Sequence, residues 1–225
     1  MVCGRTGIER EATISLFREF EAAGIHEGHP LAGWEEAREV TSILVDAATP
    51  KDGYTAEHAA EVARLSRLVG QELGLEGEGL EWLVHGALLH DLGKLGVADA
   101  ILEKPGALTE EEWAAVRRHP QIGARMIDPI GPLIGAAPVV RHHHERLDGA
   151  GYPDGLEGEE ISLPARIVAV VDAYDVMIRG RPYRPKSSPA EAFEELRREA
   201  ERQFDARVVE ALGRLLGQAK GHAPL

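Results

Sequence analysis

The sequence predicts an all-α protein, and three kinds of observation support this fold class. Apolar residues recur at helical spacing along most of the 225 residues. Two pairs of residues, Thr109 with Glu112 and Ser188 with Glu191, have the spacing of a capping box, which marks the start of a helix. Prolines also stand where a helix could begin, at Pro120, Pro138, Pro164 and Pro189.

Three helices are predicted in the first part of the chain. Segment 8–23 carries an apolar face and is followed by Gly24, which would end the helix. Apolar residues repeat at helical spacing from Trp34 to Ala47, and again from His58 to Leu73. The apolar faces of the first two helices must be covered, either by the chain itself or by a partner.

Later segments continue the helical pattern with one exception. Residues 79–91 predict a helix that Gly93 would end. The aliphatic run from Ile167 to Val171 could form a buried strand, but the Asp-containing continuation to Ile178 favours a buried helix. Segment 145–162 is rich in glycine and is therefore predicted to be a shaped loop. The tryptophans sit at helical spacing and are expected in the core: Trp34, Trp82 and Trp113.

Composition and charge exclude several classes of function. The single cysteine, Cys3, rules out an internal disulfide. The formal net charge of -13 argues against binding a nucleic acid polymer, which needs a broad basic surface, but it leaves room for a small anion. No apolar stretch is long enough to span a bilayer, and no signal peptide is visible. We therefore expect a cytoplasmic, soluble protein with neither a nucleic acid polymer nor a membrane as partner.

A set of histidines and aspartates carries the strongest chemical signal. His90 and Asp91 are adjacent in the last turn of a predicted helix, where exposed carbonyl groups favour a nearby cation. An imidazole binds one metal ion, whereas a carboxylate has two oxygens and can bridge a pair. Each residue alone would more often be a core, capping or surface residue. Together they predict a two-metal site that hydrolyses a phosphoester, formed by His58, His90, Asp91, His119, His143, His144 and Asp172.

The position of Asp172 supports this interpretation. It directly follows the aliphatic run from Ile167 to Val171, so its carboxylate is expected to be buried. A buried carboxylate needs a counter-charge or a metal ion. His143 and His144 stand immediately before the glycine-rich loop, so two imidazoles lie where this loop begins.

Four sequence motifs follow one another in a specific order. They are His90-Asp91 with Gly93 and Lys94, then His143-His144-Glu145-Arg146-Leu147-Asp148-Gly149-Ala150-Gly151-Tyr152-Pro153, then Asp172-Ala173-Tyr174-Asp175, then Arg181-Pro182-Tyr183-Arg184. This order closely resembles the HD-GYP family of metal-dependent cyclic dinucleotide phosphodiesterases, within the HD phosphohydrolase superfamily. The match runs from about Lys51 to Phe204. It implies an HD-domain helical bundle with an added GYP loop and C-terminal helices at 51–225, preceded by an N-terminal helical segment, regulatory or packing, at 1–50.

The resemblance assigns a role to each matching residue. It implies one metal bound by His58, His90, Asp91 and Asp172, and a second bound by His119, His143 and His144, with Asp91 bridging. Some family members hold a third metal through a glutamate at the position that is Tyr54 here, so we expect two ions. The residues that resemble phosphate-binding residues are Lys94, Arg181 and Arg184, and Gly151 and Tyr152 resemble the part of the loop that contacts the ligand. Asp91 and Lys94 are the expected catalytic residues.

The ligand types themselves indicate the kind of metal. Five imidazoles with two carboxylates and no thiolate do not suit a structural zinc site, which favours cysteine. Mixed nitrogen and oxygen ligands suit iron or manganese. We therefore expect two divalent metal ions, Fe or Mn, as cofactors.

The activity implied by the resemblance is hydrolysis of cyclic di-GMP, or a related cyclic dinucleotide, to linear pGpG, with onward cleavage to GMP left open. One alternative is a non-catalytic receptor for the cyclic dinucleotide. Another is a different nucleotide phosphohydrolase of the same superfamily, although the complete Gly151-Tyr152-Pro153 loop argues against it. Two protein partners are also left open: a homodimer, and a diguanylate cyclase contacted through the GYP loop.

Overall fold

The computed structural model describes residues 32–49, 56–180 and 186–217. Within these ranges the chain is helical, and its only β-type pairing is two isolated bridges, Asp148 with Glu157 and Ala200 with Phe204. The α-helices are α1 Ala32–Ala48, α2 Ala56–Glu72, α3 Gly77–Leu89, α4 Asp99–Leu102, α5 Glu110–Val116, α6 His119–Ile127, α7 Ala137–His142, α8 Leu163–Arg179, α9 Pro189–Arg198 and α10 Ala206–Leu215. Short 3-10 helices span Leu92–Gly96, Gly131–Ala136 and Gly158–Glu160. The all-α prediction is confirmed.

The predicted helix starts are found where the capping signals stand. Thr109 and Glu112 form the capping box of α5, and Ser188 and Glu191 form that of α9. Each helix predicted to begin at a proline has that proline in its first turn, as in α6, α7 and α8. Segment 8–23 lies outside the described residues.

The core of the bundle surrounds α3 and α8. α3 packs against α1, α2, α7 and α8, and its residues Leu83, Leu88 and Leu89 are fully buried. The ambiguous aliphatic run lies inside α8, where Ile167 and Val171 are also fully buried. A helix can be apolar on every side when neighbours cover it on every side, which explains why this run resembles a strand in sequence.

Gly93 allows two parts of the bundle to approach closely. A Cβ atom at this position would lie 1.8 Å from the carbonyl oxygen of His119, at the start of α6. No side chain fits there, so the turn after α3 can rest directly on the first turn of α6. The expectation that Gly93 ends this helix is wrong, because α3 already ends at Leu89 and Gly93 lies within the 3-10 helix Leu92–Gly96. Its role is the close contact that holds Asp91 near His119.

The expectation for the tryptophans is wrong for Trp113. Trp34 packs against the core and stacks on His85 with ring centroids 5.8 Å apart, and the Trp82 ring covers Gly135. Trp113, however, is 43% exposed, because α5 is a short helix with no buried residue. Helical spacing identifies a face of a helix, but it does not show whether anything covers that face. Separately, none of the described helices combines the length and apolar composition needed to cross a membrane.

Candidate metal centre

The predicted ligands lie in or next to five α-helices and meet in one region. His58 lies in the first turn of α2, and His90 and Asp91 directly follow α3. His119 begins α6, while His143 and His144 directly follow α7. Asp172 lies in the middle of α8. Residues far apart in sequence therefore meet because helix ends converge on one helix of the core.

The structure places the seven side chains in two adjoining groups that could each hold a metal ion. One group is His58, His90 and Asp172, and the other is Asp91, His119, His143 and His144, each with its ligand atoms within 4.8 Å of one another. Asp91 faces both groups. Its Oδ2 lies 3.5 Å from Nε2 of His90, and its Oδ1 lies 3.3 Å from Nε2 of His119.

Hydrogen bonds orient the imidazoles towards these groups. The Nδ1 atoms of His90, His119 and His143 each donate to the backbone carbonyl three residues earlier, at 2.8, 2.9 and 2.7 Å. A carbonyl only accepts, so each Nδ1 carries the proton in the neutral ring and each Nε2 presents a lone pair. This arrangement is typical of metal-binding histidines, in which the second nitrogen is fixed by an outer partner.

Two histidines of the second group face each other in a way that favours a cation between them. Nε2 of His119 lies 3.4 Å from Nε2 of His143. Because both rings donate through Nδ1, neither Nε2 has a proton to offer the other when both are neutral. Two facing lone pairs repel unless a positive ion lies between them. The donor set therefore fits a divalent metal ion.

The pKa values of three site histidines and of Asp91 are all lowered. Burial lowers the pKa values of His90 and His143, and burial with the charge of His119 lowers the pKa of His144 to about 3. Burial alone would raise the pKa of Asp91, but the charges of Lys94 and the nearby imidazoles hold it well below its usual range. Neutral imidazoles and ionised carboxylates are the protonation states that bind metals.

His58 is the exception, and it reveals a residue that sequence reasoning missed. Its Nδ1 donates to Oδ2 of Asp175 at 2.6 Å, and its Nε2 lies 3.3 Å from Oδ1 of Asp172. Burial lowers the pKa of His58, but the bonds to both carboxylates outweigh burial and raise it to about 9. Asp175 is itself held by Arg179, whose Nε donates to the same oxygen at 2.6 Å. Asp172 and Asp175 are three residues apart on one helix, so their shared face could have indicated this role.

The glycine-rich loop is braced from inside. The Glu145 carboxylate accepts hydrogen bonds from the backbone N–H groups of Asp154, Gly155 and Leu156 at 2.7, 3.2 and 3.2 Å. Arg146 donates to both oxygens of Asp148 at 2.9 and 2.7 Å. These hydrogen bonds fix the conformation of the predicted loop at 145–162.

Three further predicted site residues, Lys94, Gly151 and Tyr152, belong to the described part of the chain and lie near the two groups. Lys94 is buried, and its Nζ donates to Oδ2 of Asp91 at 2.8 Å. Gly151 packs on the backbone of Glu145 and Arg146, where a Cβ would lie 2.4 Å from the nearest atom. The ring of Tyr152 lies 4.9 Å from that of His144. Arg181, Arg184 and Tyr54 lie outside the described residues.

A pocket of about 540 Å³ opens beside the second group. His143, His144 and Asp172 line one part, and the loop residues Gly151 and Tyr152 line another. Its volume lies within the range of pockets that bind small organic ligands. The far wall comes from α8, α9 and the turn after α9: Ala169, Ala173, Val176, Met177, Glu195, Glu199, Gln203 and Phe204.

The chain is similar in sequence to several known proteins. The family model described as "HD domain" matches residues 42–208. The chain is 40% identical over 193 residues to the cyclic di-GMP phosphodiesterase response regulator RpfG of Xanthomonas campestris pv. campestris, covering 83% of this chain and 49% of that protein. It is 44% identical over 141 residues to 3'3'-cGAMP-specific phosphodiesterase 3 of Vibrio cholerae, covering 63% of this chain and 30% of that protein.

The fold is also found among solved structures. An HDG"Y"P protein from Bdellovibrio bacteriovorus superposes with a TM-score of 0.62 at 18% identity, covering 96% of this chain and 74% of that one. This likeness concerns the fold alone. The chain spans about half or less of the length of the curated relatives named above. From the family match, the motif order and the fold together, the chain belongs to the HD domain family and carries the HD-GYP signature within it.

Proposed function

We propose that this chain is a metal-dependent phosphodiesterase that hydrolyses cyclic di-GMP to linear pGpG through a binuclear centre. The observation that carries the proposal is the pair of adjoining His/Asp groups, both faced by Asp91 and bordered by a pocket. A phosphodiester in that pocket would lie next to both groups at once. Onward cleavage to GMP is the second step that the same site could perform.

The proposed ligands of the two ions are the seven residues described above. His58, His90 and Asp172 would hold the first ion, His119, His143 and His144 the second, and Asp91 would be shared. Mixed imidazole and carboxylate ligands favour Fe or Mn. Two such ions would activate water and polarise a phosphoryl oxygen.

The protein's own groups position the substrate and offset its charge. Lys94 places a cation beside Asp91, and we propose that it offsets negative charge that develops on the phosphate during hydrolysis. The Tyr152 ring forms a wall next to His144, against which a base or sugar can pack. We propose that Arg181 and Arg184 contribute further phosphate contacts and that Tyr54 limits the site to two ions.

A mixed cyclic dinucleotide is the second candidate substrate. The relatives include proteins named for cyclic di-GMP and proteins named for 3'3'-cGAMP, at similar identity to this chain. A non-catalytic receptor is less well supported, because all seven candidate ligands are present and brought together. We further propose a cytoplasmic location, a domain division near residue 50, and contact with either a second copy or a diguanylate cyclase through the GYP loop.

Product analysis tests this function directly. The protein would be purified anaerobically with iron or manganese and incubated with cyclic di-GMP and with 3'3'-cGAMP, and the products separated by length. We expect pGpG from cyclic di-GMP. His143→Ala should abolish hydrolysis, whereas His142→Ala should retain it, because His142 pairs with Asp154 outside both groups. A metal-loaded protein that leaves both cyclic dinucleotides intact would overturn the proposal.

A further inference from the structure

Arg117 is a cation at the pocket that the sequence motifs do not include. It lines the pocket together with His143, His144, Tyr152 and Asp172. Its guanidinium carbon lies 5.8 Å from the centre of the Tyr152 ring, and Tyr152 in turn lies against His144. One aromatic ring therefore separates Arg117 from the second group of candidate ligands.

Two aromatic rings hold this guanidinium in position. Its carbon lies 5.8 Å from the centre of the Trp113 ring as well as 5.8 Å from that of Tyr152. Such contacts between a cation and an aromatic ring are favourable. They also give a reason for the exposure of Trp113, which does not pack in the core. Trp113 and Tyr152 together fix a charged side chain at the rim of the pocket.

Arg117 makes no ion pair within the described part of the chain. Arg146 also lines the pocket, but its guanidinium donates to Oδ2 of Asp148 and to Oε1 of Gln203, both at 2.7 Å. Lys94 is bound to Asp91 at 2.8 Å. Among the described residues, no carboxylate lies within 4.0 Å of the Arg117 guanidinium. A cation held in place without an acidic partner is suited to an anionic ligand.

The chemistry of a cyclic dinucleotide supplies such a ligand. Its ring contains two phosphodiesters, and only one of them can lie at the His/Asp groups at a time. The other must be held elsewhere in the pocket, in a protein whose formal net charge is -13. We infer that Arg117 binds this second, non-scissile phosphate and is a further substrate-binding residue. The inference rests on the proposed function.

A comparison of two substrates separates this role from a structural one. Cyclic di-GMP has a second phosphate, whereas bis(p-nitrophenyl) phosphate has only the one that is cleaved. Arg117→Ala should raise KM for cyclic di-GMP about tenfold, the effect expected from losing a hydrogen bond to a charged group, with kcat within about twofold. The same variant should cleave bis(p-nitrophenyl) phosphate as the wild type does and should retain its metal. Arg117→Lys should recover part of the loss, because it keeps the charge.

Arg118→Ala is the matched control. Arg118 is the neighbouring exposed arginine, it does not line the pocket, and its removal changes the net charge equally. It should leave KM for both substrates unchanged. An equal loss on both substrates in Arg117→Ala would show that Arg117 supports the loop, and an unchanged KM for cyclic di-GMP would show no contact; either result overturns this inference alone. A wild type that cleaves bis(p-nitrophenyl) phosphate but no cyclic dinucleotide would overturn the proposed function and this inference with it.

Discussion

One hydrogen bond at Nδ1 orients each of four histidines of the site. Three Nδ1 atoms are held by backbone carbonyls, and that of His58 is held by Asp175. This leaves four Nε2 atoms directed at the two groups. Asp175 differs from the carbonyls because it carries charge and because Arg179 holds it in turn. It is therefore a positioning residue for His58 rather than a ligand.

Asp175→Asn should weaken metal retention in the first group. The amide still fills the space, but it no longer offers a charged acceptor to the His58 ring. Loss of such an outer partner typically lowers metal affinity by about 10–100-fold. Metal content after dialysis against a weak chelator would measure this, with Asp128→Asn, an exposed aspartate at the end of α6, as control. Equal retention in both variants would show that Asp175 does not position His58.

The buried side chain of His85 should make the free energy of unfolding depend on pH, and this residue lies outside the candidate metal site. It is fully buried, bonded to Thr41 at 2.8 Å, and burial followed by the charge of Arg38 lowers its pKa from 6.5 to about 3. Below pH 6.5 the unfolded chain takes up a proton that the folded chain does not. The free energy of unfolding should therefore fall by about 1.4 kcal/mol per pH unit as the pH drops from 6.5 towards 3. Above pH 6.5 this contribution is constant.

Urea denaturation of the wild type and His85→Gln over this pH range would measure the effect. Glutamine keeps a polar group near Thr41 but does not titrate, so the variant should lose that part of the slope while other groups keep theirs. Parallel pH profiles for the two proteins would mean that His85 is not held neutral.

The site depends on how closely the helix ends approach one another. Gly93 lets the turn after α3 contact the start of α6, which brings Asp91 to His119. Glu145 fixes the loop that carries Tyr152 to His144. These contacts lie between elements, so local sequence signals report them only indirectly.

Gly93→Ala should be strongly destabilising. The added Cβ would meet the His119 carbonyl oxygen at 1.8 Å, and backbone on both sides must move. We expect a loss of about 3 kcal/mol in the free energy of unfolding, at the upper end of overpacking. Gly79→Ala in α3 is the control, since nothing lies within 4 Å of its Cβ and alanine favours a helix. If chemical denaturation gave both variants the same stability, the close approach would be refuted.

Much of the fold and of the candidate site could be predicted from the sequence. Capping pairs, prolines and helical periodicity depend on neighbouring residues, so they predicted α5, α9 and the starts of α6 to α8. The order of histidines and aspartates identified the candidate ligands. The roles of Asp175 and Arg117 were not predicted, because they depend on which side chains lie across from one another. Trp113 shows the same limit: its spacing is that of a core residue, but its side chain is exposed.

The helical core supports a site that is formed largely at helix ends. α1 shares this core, with Ala37, Val45 and Ala48 buried against it. The seven candidate ligands come from five places in the chain, so a metal ion bound to them links elements that are distant in sequence. Any ion that binds only the folded chain also stabilises it.

Metal loading should therefore raise the melting temperature. At a free Mn²⁺ concentration about 100 times the dissociation constant, one site adds about 2.7 kcal/mol, which corresponds to a rise of about 5 °C or more for a chain of this size. Calorimetry of chelator-treated and Mn²⁺-loaded protein would measure it. His143→Ala should show a smaller rise, because one group loses a ligand. Identical melting temperatures with and without metal in the wild type would contradict the proposed ligand set.

The most direct test of a two-metal phosphodiesterase is the metal content and turnover of Asp91→Ala, measured together. The carboxylate of Asp91 faces both groups. The wild type should hold about two ions per chain and hydrolyse cyclic di-GMP, while Asp91→Ala should lose both the metal and the hydrolysis. Asp128→Ala, which removes an exposed aspartate, should match the wild type. Unchanged turnover in Asp91→Ala, or three tightly held ions in the wild type, would contradict this account.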